Sequence, residues 1–198
     1  MFFSTYFGHV VTLLVKIVFW GDSHIPYRAS RLPNSFIEFL RKEQPDIMIV
    51  TGDLVKYEVL MSVENFARRI YAVRGNMDEG KAMELPVVVD FEIDGIKLTI
   101  FHGHGVFPRG DPNQLYQIAK KRSAKIMITG HTHYPTILEF KDIFILNPGS
   151  VCGVLGGAGG YGLPTWGYMV AEENKIHVVI YELEENMVRA YEQRILQL

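Results

Sequence analysis

The stretch that decides the fold is Lys125-Ile126-Met127-Ile128-Thr129-Gly130-His131-Thr132-His133, a short apolar run that ends at two histidines. Four other apolar runs end in the same way, each followed closely by a side chain that can bind a metal ion. These runs are residues 16–20 before Asp22 and His24, 46–50 before Asp53, 70–74 before Asn76, and 97–101 before His102. In open α/β sheets, binding sites form beyond the carboxyl ends of the strands. The sequence therefore predicts one site assembled from five strand ends.

Length and composition indicate an ordinary globular domain. The chain has 198 residues, of which 48% are hydrophobic and 21% charged, enough to bury a substantial core. Its net charge of −2 gives no reason to expect nucleic acid or an acidic membrane as a partner. The single cysteine, Cys152, excludes an internal disulfide framework and favours a reducing, cytoplasmic setting. Residues 10–20 are mostly apolar but too short to span a bilayer, so we expect no membrane anchor.

Strand and helix patterns alternate along the first half of the chain. Apolar stripes predict helices over residues 35–42 and 58–69, and the strand–helix–strand order implies a parallel sheet with right-handed crossovers. Asp94-Gly95 predicts a hairpin turn between strands at residues 87–93 and 96–101. A short helix over residues 114–122 precedes the next strand.

The second half has antiparallel character. Strands are predicted at residues 136–140, 143–146, 168–171 and 176–183. A rough apolar stripe predicts a terminal helix over residues 184–198. Residues 153–167 hold seven glycines and predict a mobile surface loop that borders the site. We expect residues 15–198 to form a single domain, preceded by an N-terminal extension of residues 1–14.

The candidate metal ligands exceed the needs of one ion. They are Asp22, His24, Asp53, Asn76, His102, His131 and His133. Such a set suits two ions about 3.5–4 Å apart, with Asp53, alone after its strand, as the natural bridging carboxylate. Imidazole, carboxylate and amide ligands favour manganese, iron, cobalt, nickel or zinc over magnesium or calcium. The excess positive charge of two divalent ions favours an anionic substrate, with phosphate the obvious candidate. Each motif alone also fits a turn or a core residue, and only their common order favours the metal interpretation.

The chain resembles the calcineurin-like metallophosphoesterases in five motifs: Asp22-x-His24, Gly52-Asp53, Gly75-Asn76-x-Asp78, Gly103 with its flanking histidines, and Gly130-His131-x-His133. The Asn147-Pro148-Gly149-Ser150 turn resembles their small prokaryotic phosphodiesterase branch, the YfcE-like group. The resemblance covers about residues 16–183. It implies a four-layer α/β/β/α sandwich with mixed sheets.

The same resemblance implies how the ligands divide between two ions. Asp22, His24, Asp53 and His133 would hold one ion, and Asp53, Asn76, His102 and His131 the other. Asp78 would orient a ligand or the group on the substrate side.

One position departs from the family pattern near the site. Many relatives have a histidine after the Gly-Asn pair, where it helps to protonate the leaving group, whereas this chain has Met77. A thioether has no proton to give. His104, two residues after His102, is the candidate substitute, and a solvated loop histidine is an equally good interpretation.

These features together predict a metal-dependent phosphoesterase. The expected reaction is hydrolysis of a small-molecule phosphate ester, a diester first of all, by a hydroxide that bridges two divalent ions. Manganese is the metal expected first, with nickel, iron, cobalt and zinc as alternatives. Arg28 and Arg109, in loops near the ligands, are candidate contacts to the substrate phosphate, although solvated surface charge explains each of them as well.

Two other functions stay open. A phosphomonoesterase would differ only in its substrate. A protein-binding scaffold would resemble a subunit of the retromer coat that has this fold and a degraded metal site, whereas no ligand position is lost in this chain. The aromatic N-terminal extension and the predicted C-terminal helix are also compatible with a homo-oligomer.

Overall fold

The computed structural model describes residues 14–172 and 175–197. Its strands and α-helices in chain order are β1 (Val15–Trp20), α1 (Asn34–Glu43), β2 (Ile47–Val50), α2 (Tyr57–Met61), β3 (Arg69–Ala72), β4 (Val88–Ile93), β5 (Ile96–Phe101), α3 (Pro112–Lys121), β6 (Ile126–Ile128), β7 (Pro135–Phe140), β8 (Ile143–Pro148), β9 (Thr165–Glu172), β10 (Lys175–Glu184) and β11 (Met187–Gln197). Short 3₁₀ turns lie at Glu64–Phe66 and Gly80–Glu84. The predicted N-terminal extension lies almost wholly outside the described residues.

The strands form two mixed sheets. One has the order β11-β10-β9-β1-β2-β3 and the other the order β4-β5-β6-β8-β7. β1, β2 and β3 are parallel in the first sheet, and β5, β6 and β8 are parallel in the second. The carboxyl ends of each parallel set therefore meet at one edge of its sheet, where the predicted ligands follow.

The two sheets pack face to face and helices cover their outer surfaces. Phe19 of the first sheet and Leu98 of the second belong to the core between the sheets, and both are fully buried. On the outer side of the first sheet, Phe36 of α1 packs on Trp20 with ring centroids 5.5 Å apart. On the outer side of the second sheet, Leu115 of α3 is buried. The layers thus follow the order α/β/β/α, which confirms the predicted fold class.

The antiparallel hairpin of β4 and β5 is confirmed, and its turn has left-handed φ at Asp94 and Gly95, 49° and 79°. The helix predicted over residues 58–69 is shorter. α2 ends at Met61, and β3 already begins at Arg69. The 3₁₀ turn between them moves the chain from the helix layer to the sheet. In the part of the chain that the structure describes, no helix is long and apolar enough to cross a membrane.

The terminal helix predicted over residues 184–198 is wrong. This segment is β11, which pairs antiparallel with β10 across the turn at Glu185 and Asn186. Both turn residues have left-handed φ, 49° and 65°, as two-residue hairpins require and asparagine tolerates. The chain therefore reverses direction after β10, and the apolar residues of the segment belong to a strand and not to a helix. Leu196 is buried in the core between the sheets, opposite Ile176.

Candidate metal centre

The structure brings six of the seven predicted metal ligands into two groups. In each group the potential ligand atoms lie within 4.8 Å of one another, and every member is buried. The groups are Asp22, His24 and His133, and Asp53, His102 and His131. The seventh predicted ligand, Asn76, lines the same cleft. The loops after β1, β2, β3, β5 and β6 therefore supply one site, as the strand-end pattern predicts.

Asp53 lies between the two groups. Its Oδ2 is 3.4 Å from His102 Nε2 in its own group and 3.5 Å from His24 Nε2 in the other. Its second oxygen, Oδ1, accepts a hydrogen bond of 2.7 Å from the Met77 N–H. One carboxylate oxygen therefore faces histidines of both groups while the other is held by the backbone.

The other group is equally compact. His24 Nε2 lies 3.3 Å from His133 Nε2, and their rings stack with centroids 5.0 Å apart. His133 Nε2 also lies 3.4 Å from Asp22 Oδ1. The second Asp22 oxygen accepts a hydrogen bond of 3.0 Å from the His131 N–H, which ties the two groups together through the backbone.

Backbone carbonyls fix the orientation of two histidine rings. His102 Nδ1 donates to the Thr51 carbonyl at 2.7 Å, and His133 Nδ1 donates to the Val154 carbonyl at 2.7 Å. A proton held on Nδ1 leaves Nε2 with a free lone pair, which is the form that binds a metal ion. His102 Nε2 lies 3.4 Å from Asp53 Oδ2, and His133 Nε2 lies 3.4 Å from Asp22 Oδ1.

The donor set fits divalent metal ions. Asp22 Oδ1 and His102 Nε2 are buried and have no hydrogen-bond partner among the described residues. Buried polar atoms almost always have a partner, and these two lie where ligand atoms from several strands converge. Nitrogen and carboxylate oxygen ligands suit a divalent transition metal ion.

Burial sets the charge of most of these groups. It raises the pKa of Asp22 to about 6 and lowers the pKa values of His24 and His131 to about 4. Both histidines are therefore neutral near pH 7. Burial opposes the charged forms of Asp53 and His102 as well. Their mutual attraction prevails, and it lowers the pKa of Asp53 to about 2 and, with help from Asp22, raises that of His102 to about 9. A metal ion must therefore compete with the His102 proton.

Five of the predicted ligands have left-handed backbone conformations. The φ angles are 50° at Asp22, 50° at His24, 54° at Asp53, 69° at His131 and 61° at His133. Such angles are uncommon outside glycine and cost roughly 1–3 kcal/mol each, and they persist where the surrounding structure enforces them. Five of the twelve non-glycine residues with positive φ in the described part of the chain are thus predicted ligands.

Glycine allows close packing around two of the carboxylates. A Cβ at Gly75 would lie 2.0 Å from Asp53 Oδ1, and one at Gly130 would lie 2.7 Å from Asp22 Oδ2. These contacts leave no room for a side chain. The glycines in the strand-end motifs therefore let the neighbouring loops approach the ligands.

Asp78 acts on the backbone beneath the site. Its Oδ2 accepts hydrogen bonds from the N–H groups of Gly75, at 2.7 Å, and Asp53, at 3.2 Å. Its Oδ1 accepts one from Val55 at 2.8 Å. These bonds join the loop after β2 to the loop after β3, and so hold Asp53 in place beside the turn that carries Asn76.

His104 lies beside the site but does not line the cleft. Its ring centroid is 5.6 Å from that of His102. The ring is half-buried, and its Nδ1 is buried without a hydrogen-bond partner among the described residues. Burial and the neighbouring His102 lower its pKa. His104 is therefore a neighbour of His102 and not one of the residues that line the cleft.

Arg28 and Arg109 both line the cleft. The Arg28 guanidinium donates to the Leu155 carbonyl at 2.8 Å. The Arg109 guanidinium lies next to Gly157, where an added Cβ would be 3.5 Å from Nη2. The cleft thus carries two fixed positive charges as well as the metal ligands.

The cleft has a volume of about 100 Å³. Its lining residues are His24, Arg28, Asp53, Asn76, Met77, Arg109, His131, His133, Gly156 and Gly157. A larger concavity of about 880 Å³ lies beside α1 and α2, and none of the predicted site residues lines it. The chemistry-bearing side chains therefore belong to the smaller cleft.

The glycine-rich loop is part of the site, as the sequence predicts. Gly156 and Gly159 close it with two backbone hydrogen bonds, and the Tyr161 N–H donates to the His133 carbonyl at 3.0 Å. A Cβ at Gly156 would lie 3.1 Å from His133 Cδ2. Glycine thus lets this loop pack directly on a histidine of the site.

Some residues that support the site were not predicted as such. Asn147 Nδ2 donates to the Gly130 carbonyl at 2.8 Å and to Thr132 Oγ1 at 3.0 Å, which fixes the turn between the two histidines. Ser150 Oγ donates to the Asp22 carbonyl at 2.7 Å. The Asn147-Pro148-Gly149-Ser150 motif could have indicated the supporting roles of Asn147 and Ser150 from the sequence. The supporting carbonyls of Thr51 and Val154 have no such sequence signal, because any residue could supply them.

Comparison with known proteins agrees with this arrangement. The model of the calcineurin-like phosphoesterase superfamily domain matches residues 15–190. The chain belongs to this superfamily. A probable metallophosphoesterase of Methanothermobacter thermautotrophicus is 38% identical over 138 residues, which cover 70% of this chain and 77% of that protein. The chain is therefore a metal-dependent phosphoesterase of the calcineurin-like superfamily.

Two solved structures extend the comparison. Vps29 of Entamoeba histolytica in complex with zinc has a TM-score of 0.84 to this metallophosphoesterase and 26% identity, covering 91% of this chain and 99% of that one. An archaeal phosphodiesterase has a TM-score of 0.60 and 25% identity, covering 92% and 100%. Similar folds thus occur in a Vps29 protein and in a phosphodiesterase.

Proposed function

We propose that this metallophosphoesterase hydrolyses small-molecule phosphodiesters at a centre of two divalent metal ions. The position of Asp53 carries the proposal, because one of its carboxylate oxygens faces histidines of both ligand groups. Similarity to an archaeal phosphodiesterase supports a diester as substrate. Similarity to a zinc-bound Vps29 supports metal binding by this fold.

The ligand groups would divide as the family resemblance implies. Asp22, His24 and His133 would hold one ion, His102, His131 and Asn76 the other, and Asp53 would contribute to both. Bound divalent ions supply Lewis acidity and hydroxide at neutral pH. Manganese is the metal we propose first, with nickel, iron, cobalt and zinc as alternatives.

The remaining groups of the chain act on the substrate and on the ligands. Arg28 and Arg109 would bind the phosphoryl oxygens, since both guanidinium groups line the cleft. Asp78 would keep the Asp53 and Asn76 loops in register through its three backbone hydrogen bonds. His104 would reach the leaving group only after a change of side-chain position, because it does not line the cleft.

Hydrolysis of bis-p-nitrophenyl phosphate with Mn²⁺ tests the proposal. We expect turnover by the wild type and its loss in Asp53→Asn and His131→Ala. His177→Ala, which removes an exposed histidine of β10, is the matched control and should retain activity. Full activity in both site variants contradicts a two-metal mechanism. Faster hydrolysis of p-nitrophenyl phosphate than of the diester identifies a phosphomonoesterase instead.

A protein-binding scaffold is the second candidate, favoured by the similarity to Vps29. Metal binding does not separate the two functions, because that Vps29 structure contains zinc. Turnover does separate them. Metal-loaded protein that hydrolyses no ester in a panel of phosphodiesters and phosphomonoesters supports the scaffold. A cytoplasmic location and a homo-oligomer remain predictions, and light scattering tests the second.

A further inference from the structure

Exposed aromatic side chains are concentrated around the cleft. Of the four exposed aromatic residues in the described part of the chain, three belong to loops of the cleft: Tyr27, Phe107 and Tyr134. Each lies within two residues of a residue that lines the cleft. The fourth, Tyr191, lies on β11. Leu155 of the glycine-rich loop, 57% exposed, adds another apolar side chain to this rim. Grouped exposed apolar side chains mark binding surfaces more often than single ones do.

One of these rings is held by a hydrogen bond of its hydroxyl group, and a second lies near the glycine-rich loop. The Tyr27 hydroxyl donates to the Glu79 carboxylate at 3.0 Å, so its ring joins the loop after β1 to the loop after β3. The Tyr134 hydroxyl lies near Gly159, where an added Cβ would be 3.3 Å away. The Tyr134 ring therefore lies beside the glycine-rich loop. Both side chains stay about half exposed, at 59% and 49%. A ring held as that of Tyr27 is loses little freedom when a ligand binds.

Phe107 is the most exposed of the three, at 84%. Its backbone is nevertheless held on both sides by Gln114. The Phe107 N–H donates to Gln114 Oε1 at 3.4 Å, and its carbonyl accepts from Gln114 Nε2. Gln114 lies in the first turn of α3, which Asp111 caps. The fold thus fixes the backbone and leaves the phenyl ring largely exposed to water, where its hydration is unfavourable.

The cleft itself is too small to enclose a whole phosphodiester with its organic groups. Pockets that enclose drug-sized ligands measure roughly 300–1,000 Å³, whereas this cleft measures about 100 Å³. The groups esterified to the phosphate must therefore extend onto the rim. Met77, whose thioether can contact an aromatic ring, lines the cleft and makes its wall partly apolar.

We propose that Tyr27, Phe107 and Tyr134 form the subsite for the organic groups of the ester. The substrate class is then a phosphodiester in which at least one alcohol carries a flat aromatic ring, as an aryl ester or a nucleotide does. This inference rests on the proposed function, because it names the substrate class of the same site. Stacking on one aromatic side chain changes affinity by about tenfold.

A pair of esters with one leaving group tests the subsite by kinetics. Bis-p-nitrophenyl phosphate and methyl p-nitrophenyl phosphate both release p-nitrophenolate and differ in the group that stays on phosphorus. Their intrinsic reactivity difference is the same in every variant, so a change in the ratio of kcat/KM values reports the subsite. We expect Phe107→Ala and Tyr134→Ala to lower the ratio of aryl to methyl ester about tenfold. Tyr191→Ala, the matched control, should keep the wild-type ratio. An equal fall of kcat/KM for both esters places the subsite at the ring of the leaving group, whereas kcat/KM values unchanged for both esters in all four proteins overturn the proposal.

Binding separates this inference from the proposed function, because it needs no turnover. The manganese-loaded protein is titrated calorimetrically with diphenyl phosphate, with the dinucleoside phosphate TpT and with dimethyl phosphate. Tighter binding of either aromatic diester, weakened about tenfold in Phe107→Ala, supports the subsite even if no ester is hydrolysed. The tighter of the two identifies an aryl or a nucleoside group. Dimethyl phosphate bound as tightly as both overturns the proposal even if every ester is hydrolysed.

Discussion

Asp53 and His102 face each other in a buried pair, with Oδ2 of the carboxylate 3.4 Å from Nε2 of the imidazole. His102 Nε2 has no hydrogen-bond partner in the described residues, and its Nδ1 is fixed by the Thr51 carbonyl. The same Asp53 oxygen lies 3.5 Å from His24 Nε2. Asp53 therefore contacts both ligand groups, and we expect its substitution to weaken metal binding at both.

Metal stoichiometry tests this shared position. We expect Asp53→Asn to retain less than one manganese ion per chain, because an amide oxygen is a weaker ligand for both groups. His133→Ala removes a ligand from one group only and should retain about one ion, since the other group keeps its full set. Mass spectrometry of the metal content after loading and desalting measures both. Two ions retained in Asp53→Asn would contradict the shared role.

Metal removal should lower thermal stability. An ion present at a hundred times its Kd stabilises the folded state by about 2.7 kcal/mol, and in a chain of this size 1 kcal/mol shifts Tm by about 2–4 °C. We therefore expect a chelator to lower the Tm of the loaded protein by about 5–10 °C per ion. Scanning calorimetry with and without Mn²⁺ measures the shift. The shift should shrink in Asp53→Asn and persist in His177→Ala, and an equal shift in both would show that manganese acts elsewhere.

Met77 predicts how the rate depends on the leaving group. Its thioether cannot donate a proton, so esters of poorly acidic alcohols should react slowly relative to p-nitrophenyl esters. We expect Met77→His to accelerate the hydrolysis of alkyl esters by roughly 10²-fold, the lower range for a positioned general acid. The p-nitrophenyl ester, whose leaving group needs no proton, should change little.

A series of leaving groups with increasing alcohol pKa measures this effect. The slope of log kcat/KM against alcohol pKa should flatten in Met77→His. Met77→Leu keeps an apolar side chain and should retain the wild-type slope. Equal slopes in all three proteins would show that residue 77 does not control protonation of the leaving alcohol.

Two adjacent glycines give a matched test of the loop packed on His133. A Cβ at Gly156 would lie 3.1 Å from His133 Cδ2, whereas one at Gly157 would lie 3.5 Å from Arg109 Nη2. Gly156→Ala should therefore displace the imidazole and weaken metal binding by about 10–100-fold, as loss of support around a metal ligand does. Gly157→Ala makes only ordinary contacts. Manganese titration monitored by calorimetry should place the Gly157 variant near wild type, and equal affinities in the two variants would contradict direct support by the loop.

The sequence predicted which polar side chains come together better than it predicted their surroundings. The five strand ends can be identified from short apolar runs followed by glycine and polar residues. This pattern is local in the sequence, so it can be recognised without knowledge of the fold. The carbonyls of Thr51 and Val154 that orient His102 and His133 depend on which loops meet in space. The residue types at positions 51 and 154 do not predict such a contact, because the backbone carbonyl makes it.

The prediction of a C-terminal helix failed for a different reason. Apolar residues at Met187, Tyr191 and Ile195 fit a helical stripe loosely, but they lie on an exposed edge strand where period and burial do not coincide. The two-residue turn at Glu185-Asn186, where both φ angles are positive, makes this segment a hairpin strand. Pairing with β10 then outweighed the intrinsic preference of the segment.

The left-handed backbone conformation of the predicted ligands implies a trade-off between function and folding stability. At such a position glycine should stabilise the fold more than alanine does, which reverses their usual order. In regular structure alanine is more stabilising than glycine by about 1 kcal/mol. At His131, where φ is 69°, both replacements remove the imidazole, but glycine alone adopts this φ without a steric penalty. His131→Gly should therefore unfold at higher denaturant concentration than His131→Ala in metal-free protein, which would show that the backbone conformation of this predicted ligand lowers folding stability.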